Sequence, residues 1–228
     1  MIKPMQSRSR NQNEKAERRE ALLNAAQVVF SEKGFEHTSM DDIANQAGFS
    51  RALLYVYFKD KKDIHRSLKI RSVKALRDRM LAHIDLGAAG IVRVRQVGEA
   101  FYQFYRHDKD HFDCLSLDIS LNNQSTLAKN EVKRDPEAMA AEEETMQIMV
   151  NSLLAGVKDG SIDPNKVSNP LQTAMFLRGS LHGVILLQDE DGSALLDSAN
   201  IDKQELVEYA LDIVCNGLKP SADGPRVS

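Results

Sequence analysis

The stretch GFSRALLYVYFKDKKD, residues 48–63, decides the fold. Its centre, residues 52–58, is a continuous apolar and aromatic run, and three lysines among aspartates follow it. Such a short run is typical of a buried β-strand when it is read alone. However, no neighbouring segment alternates apolar and polar residues or offers a hairpin partner. We therefore predict that the run is a short helix.

The residues before this run fit a helix-turn-helix. When Met40 is its first position, the small Ala44 falls where the two helices approach closely, and Gly48 falls in the sharp turn. Ser50 is placed to cap the next helix, whose exposed face begins with Arg51. Apolar support is expected from Ile43, Ala47, Phe49, Leu54 and Tyr57.

Helical periodicity extends along most of the chain. Gly34 ends a first helix over residues 14–33, and a long fourth helix is predicted over residues 61–84. Further helices are predicted over residues 91–107, 112–121, 136–158, 170–188 and 203–218. Segments such as DEDGSALLDSAN, residues 189–200, are rich in turn formers and are predicted to separate these helices. The predicted fold class is all-α.

Charge divides the chain into two parts. The formal net charge is only −3, but residues 1–79 carry 17 Lys and Arg against 10 Asp and Glu, and the remainder carries 13 against 23. A basic N-terminal third suggests a polyanionic partner, and the acidic remainder suggests a second task.

The composition also argues against several classes of protein. Cys114 and Cys215 lie far apart and outside any Cys/His cluster, so neither a disulfide framework nor a zinc site is expected.

Residues 1–13 are expected to form a disordered basic arm and residues 219–228 a disordered tail. With no signal-peptide pattern and no long apolar segment, the expected compartment is the cytoplasm.

The segment from residue 17 to residue 68 resembles the TetR family of transcriptional regulators. A helix, Gly-Phe, Thr, Asp-Ile-Ala, Ala-Gly, Leu-Tyr, Tyr-Phe and Lys follow one another at the spacings of that family. The resemblance implies about nine helices, with a helix-turn-helix DNA-binding domain over residues 14–62 and a ligand-binding and dimerising domain over residues 63–218. The helix-turn-helix itself would cover about residues 39–58.

The function implied is that of a sequence-specific repressor rather than an enzyme. A homodimer without a cofactor would hold a palindromic DNA operator until a small-molecule inducer released it. Two recognition helices would then enter major grooves about 34 to 36 Å apart. The alternative is a helical small-molecule-binding or interaction protein that does not bind DNA.

The resemblance also assigns DNA contacts. The positions expected to contact DNA are Thr38, Ser39, Ser50, Arg51, Ala52, Leu53, Tyr55, Val56, Tyr57 and Lys61. Thr38, Tyr57 and Lys61 match places that grip phosphates. Arg51 matches a base-reading place and can donate two hydrogen bonds to a guanine edge, whereas Val56 can only pack on thymine methyl groups or sugars. Specificity is therefore expected to depend on Arg51 and on DNA shape.

Two glycines suggest a dimer interface. Gly179 and Gly183 lie one helical turn apart, and glycine inside a helix costs about 1 kcal/mol relative to alanine, which close packing of another helix offsets. The resemblance implies a four-helix interface, expected here through residues 171–188 and 206–218. The candidate interface residues are Gly179, His182, Gly183, Leu186 and Leu211. Packing within one subunit is the alternative.

An aromatic and methionine cluster suggests an apolar ligand pocket. The candidate residues are Phe101, Phe104, Tyr105, Met146 and Met149. The alternative is that these residues are ordinary core. His107 and His111, with aspartates nearby, have a spacing that a metal can use, but a cluster of solvated polar residues is the favoured interpretation.

Overall fold

The computed structural model describes residues 5–115 and 136–221, and these ranges contain helices and no strand. The helices are α1 (Met5–His37), α2 (Met40–Ala47), α3 (Arg51–Tyr57), α4 (Lys61–His83), α5 (Gly90–His107), α6 (residues 109–115), α7 (Pro136–Asp159), α8 (Pro170–Leu186), α9 (Glu190–Ser198) and α10 (Lys203–Leu218). A short 3-10 turn, Pro164–Lys166, lies between α7 and α8. The predicted all-α fold class is confirmed.

The chain divides into two compact units. Among the described residues, the N-terminal unit contains residues 5–72 and 113–115, and the C-terminal unit contains residues 73–112 and 136–221. Helix α4 begins in the first and ends in the second. Ile64 and Leu68 of α4 are buried in the core of the N-terminal unit, which explains why that unit extends beyond residue 62.

The N-terminal unit is built around one apolar core. Its buried members are Leu22, Leu23, Ala26, Val29, Phe30, Ile43, Ala44, Leu54, Phe58, Ile64, Leu68 and Cys114. All four of the helices α1 to α4 contribute to this set. Each large side chain that is fully buried contributes roughly 1.5–3 kcal/mol, and this burial fixes the short helices α2 and α3 on α1.

Local capping determines where α2 and α3 begin and end. Ser39 and Asp42 form a reciprocal capping box at the start of α2. Hydrogen bonds from Lys33 and Ser39 hold the pKa of the Asp42 carboxyl well below its ordinary value. Gly48 ends α2 in the left-handed region at φ 68°, as expected for its place in the turn. Ser50 caps α3 by accepting a hydrogen bond from the amide of Leu53 at 3.2 Å.

Two predictions about local structure were wrong. Helix α1 begins at Met5, so residues 5–13 are helical instead of a disordered arm. Those residues include no proline or glycine to stop the helix. Residues 190–198, which were expected to separate helices, form α9, because Leu196 is buried and supports a turn-rich segment. Residues 1–4, 116–135 and 222–228, including most of the predicted tail and part of the 112–121 helix, lie outside the described residues.

The C-terminal unit packs α5 at its centre. Gly90 at the start of α5 lies so close to Gly156 of α7 that an added Cβ would be 1.9 Å from the Gly156 amide nitrogen. The amide of Gly90 donates to the Asp159 carboxylate at 2.7 Å. Further along α5, Gly98 leaves room for Leu211 of α10. These close approaches set the positions of α7 and α10 on α5.

Candidate nucleic-acid interface

Helix α3 presents two different faces. Leu54 is fully buried, and Phe58, which follows the helix, is nearly so. On the opposite face Arg51, Ala52, Tyr55 and Val56 are exposed, and Val56 is 69% exposed. An exposed valine on a helix that is anchored by its other face stabilises nothing in the folded unit. The surface formed by Arg51, Ala52, Tyr55 and Val56, called the α3 surface below, is therefore available to a partner.

The α3 surface contains a cation held in a defined position. Arg51 Nη1 donates to Asp41 Oδ2 at 2.6 Å, and Nη2 donates to the Tyr55 hydroxyl at 3.3 Å. The guanidinium carbon lies 5.6 Å from the centroid of the Tyr55 ring. The hydrogen bond with Tyr55 and the charge of Asp41 raise the pKa of Arg51. These contacts direct the guanidinium along the surface.

The proposed phosphate contact of Lys61 is not supported by its surroundings. Its Nζ donates to the carbonyl oxygens of Phe35, Glu36 and Thr38, at 3.1 Å for Glu36 and 2.9 Å for Thr38. It also lies 4.5 Å from the centroid of the Phe35 ring. An ammonium has three donors, so all of them are used inside the protein. Lys61 thus binds the end of α1 to the start of α4.

The hydroxyl of Thr38 is also turned inward. Thr38 is 4% exposed, and its Oγ1 donates to the carbonyl oxygen of Gly34 at 2.8 Å. The resemblance placed a phosphate contact here, but the side chain instead secures the kink at Gly34, whose φ of 75° interrupts α1. Sequence spacing identified the position without indicating the direction of the hydroxyl.

The remaining predicted DNA-contact residues fall into two groups. Ser39 and Ser50 are exposed, and their hydroxyls cap α2 and α3. Leu53 and Tyr57 are half-buried, and Tyr57 packs against the apolar core. Lys59 and Lys62 are the exposed lysines that follow α3. Sequence reasoning missed Asp41, because no local pattern shows that a residue ten positions earlier contacts Arg51.

The predicted dimer region exposes an apolar surface on α8 and α10. Its members, called the α8/α10 surface below, are Leu171, Met175, Phe176, Gly179, Gly183, Leu186, Tyr209 and Ile213. Phe176 is 67% exposed and Tyr209 64% exposed. An added Cβ at Gly179 or Gly183 would have nothing within 4 Å. The glycines therefore are not needed for packing within the protomer.

Two of the predicted interface residues face the protomer interior. Leu211 is 6% exposed and packs against Gly98 of α5. The His182 ring stacks on Phe112 at 5.3 Å between centroids and contacts Phe101 at 6.1 Å. Burial, with the charge of Arg178, lowers the pKa of His182. Helical spacing placed both residues near the glycines, but α8 and α10 each have a second apolar face, and these residues lie on it.

A small cavity lies in the C-terminal unit between α5, α7, α8 and α10. It has a volume of about 50 Å³ and is lined by Val94, Gly98, Met149, Leu177, Ser180, Leu181, Val184, Ala210, Leu211, Val214 and Cys215. Of the five predicted pocket residues, only Met149 lines it. Phe101 and Phe104 are buried in the core, and Tyr105 donates its hydroxyl hydrogen to Asp189 at 3.2 Å. Phe101, Phe104, Tyr105 and Met146 do not line this cavity, which favours the alternative that they are ordinary core residues.

The polar cluster at the end of α5 does not form a metal site in the described residues. His107 is exposed, whereas the His111 ring stacks on Phe104 at 6.3 Å. Asp108 pairs with Arg79 at 2.5 Å. In residues 5–115 and 136–221 there is no group of three His, Cys, Asp or Glu side chains placed to hold a metal ion. Over the same ranges, no helix is both long and apolar enough to cross a membrane.

Comparison with known proteins identifies the helix-turn-helix. The family model of bacterial regulatory proteins of the tetR family matches residues 22–68, which run from α1 through α3 into α4. The helix-turn-helix of this chain is therefore of the type found in TetR-family transcriptional regulators. The proteins that this segment matches are DNA-binding regulators, in agreement with the expectation that the chain is not an enzyme.

Individual helix-turn-helix transcriptional regulators match part of the chain. The transcriptional activator FasR of Mycolicibacterium smegmatis is 32% identical over 106 residues, which are 46% of this chain and 48% of FasR. The transcriptional repressor BepR of Brucella suis is 44% identical over 59 residues, which are 26% of this chain and 28% of BepR. The matched segments thus span about half or less of these relatives.

The fold of most of the chain is also found among solved structures of transcriptional regulators. The transcriptional regulator FadR of Bacillus subtilis, solved in complex with stearoyl-CoA, superposes with a TM-score of 0.64. The match covers 87% of this chain and 98% of FadR at 19% identity. At that identity the likeness establishes the fold alone.

Proposed function

We propose that this protein is a sequence-specific DNA-binding regulator that acts as a homodimer and responds to a small apolar molecule. The observation that carries the proposal is the α3 surface, which holds a fixed arginine beside exposed apolar side chains within a TetR-family helix-turn-helix. We also propose that it acts in the cytoplasm.

The α3 surface has the chemistry of a major-groove reader. Arg51 supplies paired donors that match the O6 and N7 acceptors of guanine. Ala52 and Val56 supply apolar contacts for thymine methyl groups, and Tyr55 adds an aromatic ring with a polar end. Because Arg51 is the one charged residue of α3, we expect a single strongly preferred guanine in each half-site.

Phosphate contacts are assigned differently from the sequence-based expectation. Lys59 and Lys62 are exposed beside α3, whereas the Lys61 ammonium is occupied by carbonyl oxygens. We therefore assign the phosphate contacts to Lys59, Lys62 and the Tyr57 hydroxyl. Such contacts set the position of the protein on DNA and the dependence of binding on salt.

Dimerisation through the α8/α10 surface explains its composition. An apolar surface that includes Phe176, Met175 and Ile213 is unfavourable in water, and a second copy of the chain would cover it. Gly179 and Gly183 would let the paired helices approach closely. Two-fold symmetry would then present two copies of α3, which favours a palindromic operator.

A ligand that enters the C-terminal unit would be largely apolar. The cavity is lined mainly by aliphatic side chains, with Ser180 and Cys215 among its few polar groups. FadR of Bacillus subtilis, which has the same fold, was solved with stearoyl-CoA, and this supports a ligand with a hydrocarbon part. At about 50 Å³ the cavity must open before it accepts such a molecule.

The ligand would act by changing the affinity for DNA. Helix α4 has residues in both units, and we propose that it transmits a change around the cavity to α3. The ligand has this effect only if its affinity differs between the two conformations. We propose repression released by ligand as the mode of action. Since FasR is an activator and BepR a repressor, a promoter-reporter assay with the recovered operator should test whether this protein represses or activates transcription.

The test is selection of bound duplexes from a random DNA pool with the purified full-length protein, followed by sequencing. A palindromic motif with one dominant guanine per half-site is the expected result. Arg51→Ala should then lower the preference at that base pair by roughly 5- to 150-fold. Failure of the folded dimer to enrich any duplex over a range of salt concentrations would favour the alternative of a ligand-binding protein that does not bind DNA.

A further inference from the structure

The base-reading arginine shares its surface with a carboxylate. Asp41, in the first turn of α2, accepts the hydrogen bond from Arg51 Nη1 at 2.6 Å, and the two side chains are 55% and 56% exposed. On its other side the guanidinium contacts the hydroxyl and the ring of Tyr55. Groups on two different helices therefore hold Arg51 in one orientation.

The role of Asp41 differs from that of its neighbour Asp42. Asp42 completes the capping box with Ser39 and pairs with Lys33 at 2.6 Å, so its contacts stabilise α2 and its packing on α1. Asp41 is not part of that box and instead binds a residue of α3. A simpler interpretation is that the negative charge of Asp41 only stabilises the N-terminus of α2, where the helix dipole is positive. That interpretation does not explain its contact with the arginine.

The held arginine keeps enough donors to read a base. A guanidinium has five N–H groups in one plane, and Asp41 and Tyr55 take one each. Three donors remain for acceptors on a base edge. A side chain that is already oriented also loses less conformational entropy when it makes that contact.

The Asp41 carboxylate also disfavours a contact between Arg51 and a DNA phosphate. A phosphate that approaches the Arg51 guanidinium also approaches the negative charge of Asp41, and like charges repel. A neutral base edge carries no such penalty. Removing Asp41 would therefore release Arg51 to the phosphates that every DNA sequence offers.

We propose that Asp41 is a positioning residue that directs Arg51 towards base edges and away from phosphates, and so sets the selectivity of α3. This inference rests on the proposed DNA-binding function, although its structural part concerns the protein without DNA.

The structural part is tested on the full-length protein without DNA. Nitrogen-15 relaxation of the Arg51 Nε–Hε group should show an ordered side chain in the wild type and a more mobile one in Asp41→Asn. Asp41→Glu, which keeps the charge, should retain more of the order than Asp41→Asn. Equal mobility of Arg51 in the wild type and in Asp41→Asn would overturn the proposal, whatever the protein does with DNA.

Selectivity is tested with the duplex recovered by selection, the same duplex with the Arg51-read guanine pair replaced, and an unrelated duplex of equal length. Asp41→Asn should reduce the preference for the guanine pair by about tenfold. It should also raise affinity for the unrelated duplex and steepen its salt dependence by about one phosphate contact. The matched control is Glu32→Gln, which removes the same charge from an exposed position on α1.

The coupling with Arg51 separates positioning from simple charge repulsion. In an Arg51→Ala background, Asp41→Asn should leave the remaining preference at that base pair unchanged. An equal rise in affinity for all three duplexes, seen also for Glu32→Gln, would overturn the selectivity proposal. A wild-type protein without any selective binding would instead overturn the proposed function and, with it, the role of Asp41 in selectivity.

Discussion

The α3 surface and the α8/α10 surface both expose apolar side chains, but they differ in how much of each was predictable. On α3, Leu54 faces the core and Val56 faces solvent, as the helix-turn-helix spacing indicates. On α8 and α10, His182 and Leu211 lie on the opposite face from the one expected. A short capped helix with one apolar face can turn only that face to the core, so its exposed residues are predictable. A helix with two apolar faces can turn either of them to the core, and the sequence does not say which.

The largest expected effect is loss of the α3 anchor. Leu54→Ala removes a fully buried side chain from the N-terminal core and should lower the free energy of unfolding by about 2–5 kcal/mol. Val56→Ala, on the exposed face of the same helix, should change it by less than about 0.5 kcal/mol while weakening DNA binding. Urea denaturation measures both. Similar losses of stability in the two variants would contradict the assignment of the two faces.

A smaller effect is expected at Lys61. Lys61→Met keeps the aliphatic stem but removes three hydrogen bonds to carbonyl oxygens, so unfolding should become easier by about 1–3 kcal/mol. The matched control is Lys62→Met, whose exposed side chain should matter little for stability. If Lys61 instead binds a phosphate, its replacement would leave the free energy of unfolding unchanged. It would then reduce the salt dependence of DNA binding by about one phosphate contact.

The next prediction tests the α8/α10 surface, because one substitution should stabilise the protomer and weaken the dimer. Gly183→Ala places a methyl group in open space within the protomer, and the better helix former should stabilise α8 by about 1 kcal/mol. At a close helix-helix contact between two copies, the same methyl group should weaken the dimer. Sedimentation equilibrium and thermal unfolding at several protein concentrations separate the two. A stabilised protomer with unchanged dimer affinity would place the interface elsewhere.

The smallest effect concerns pH. Burial lowers the pKa of His182 in the folded protein, so the unfolded chain binds a proton first as pH falls below about 6.5. His182 therefore contributes stability above that pH and loses it under acid conditions. His182→Phe, which keeps a ring beside Phe101 and Phe112, should remove this part of the acid sensitivity. Unfolding curves at pH 5 and pH 7.5 measure it, and identical pH dependence in both proteins would contradict the assignment.

Errors in the predicted helix boundaries and side-chain directions have separate physical causes. Helix α9 was missed because its turn formers outweigh a short apolar pattern, and burial of Leu196 reverses that balance. Thr38 and Lys61 were assigned to phosphates because the family position is shared, but the kink at Gly34 leaves carbonyl oxygens that these two side chains satisfy. Position in a motif does not determine which partner a polar group finds.

The amino-acid sequence by itself determined the all-α class, the turn at Gly48, the cap of α3 at Ser50 and the bounds of α10. It also identified Arg51 as the charged residue of α3, because capping and helical periodicity are local. Only the tertiary structure decided which faces of α8 and α10 are exposed, where the cavity lies, and that Asp41 holds Arg51. Each of those depends on contacts between residues distant in the chain, and local periodicity contains no information about them.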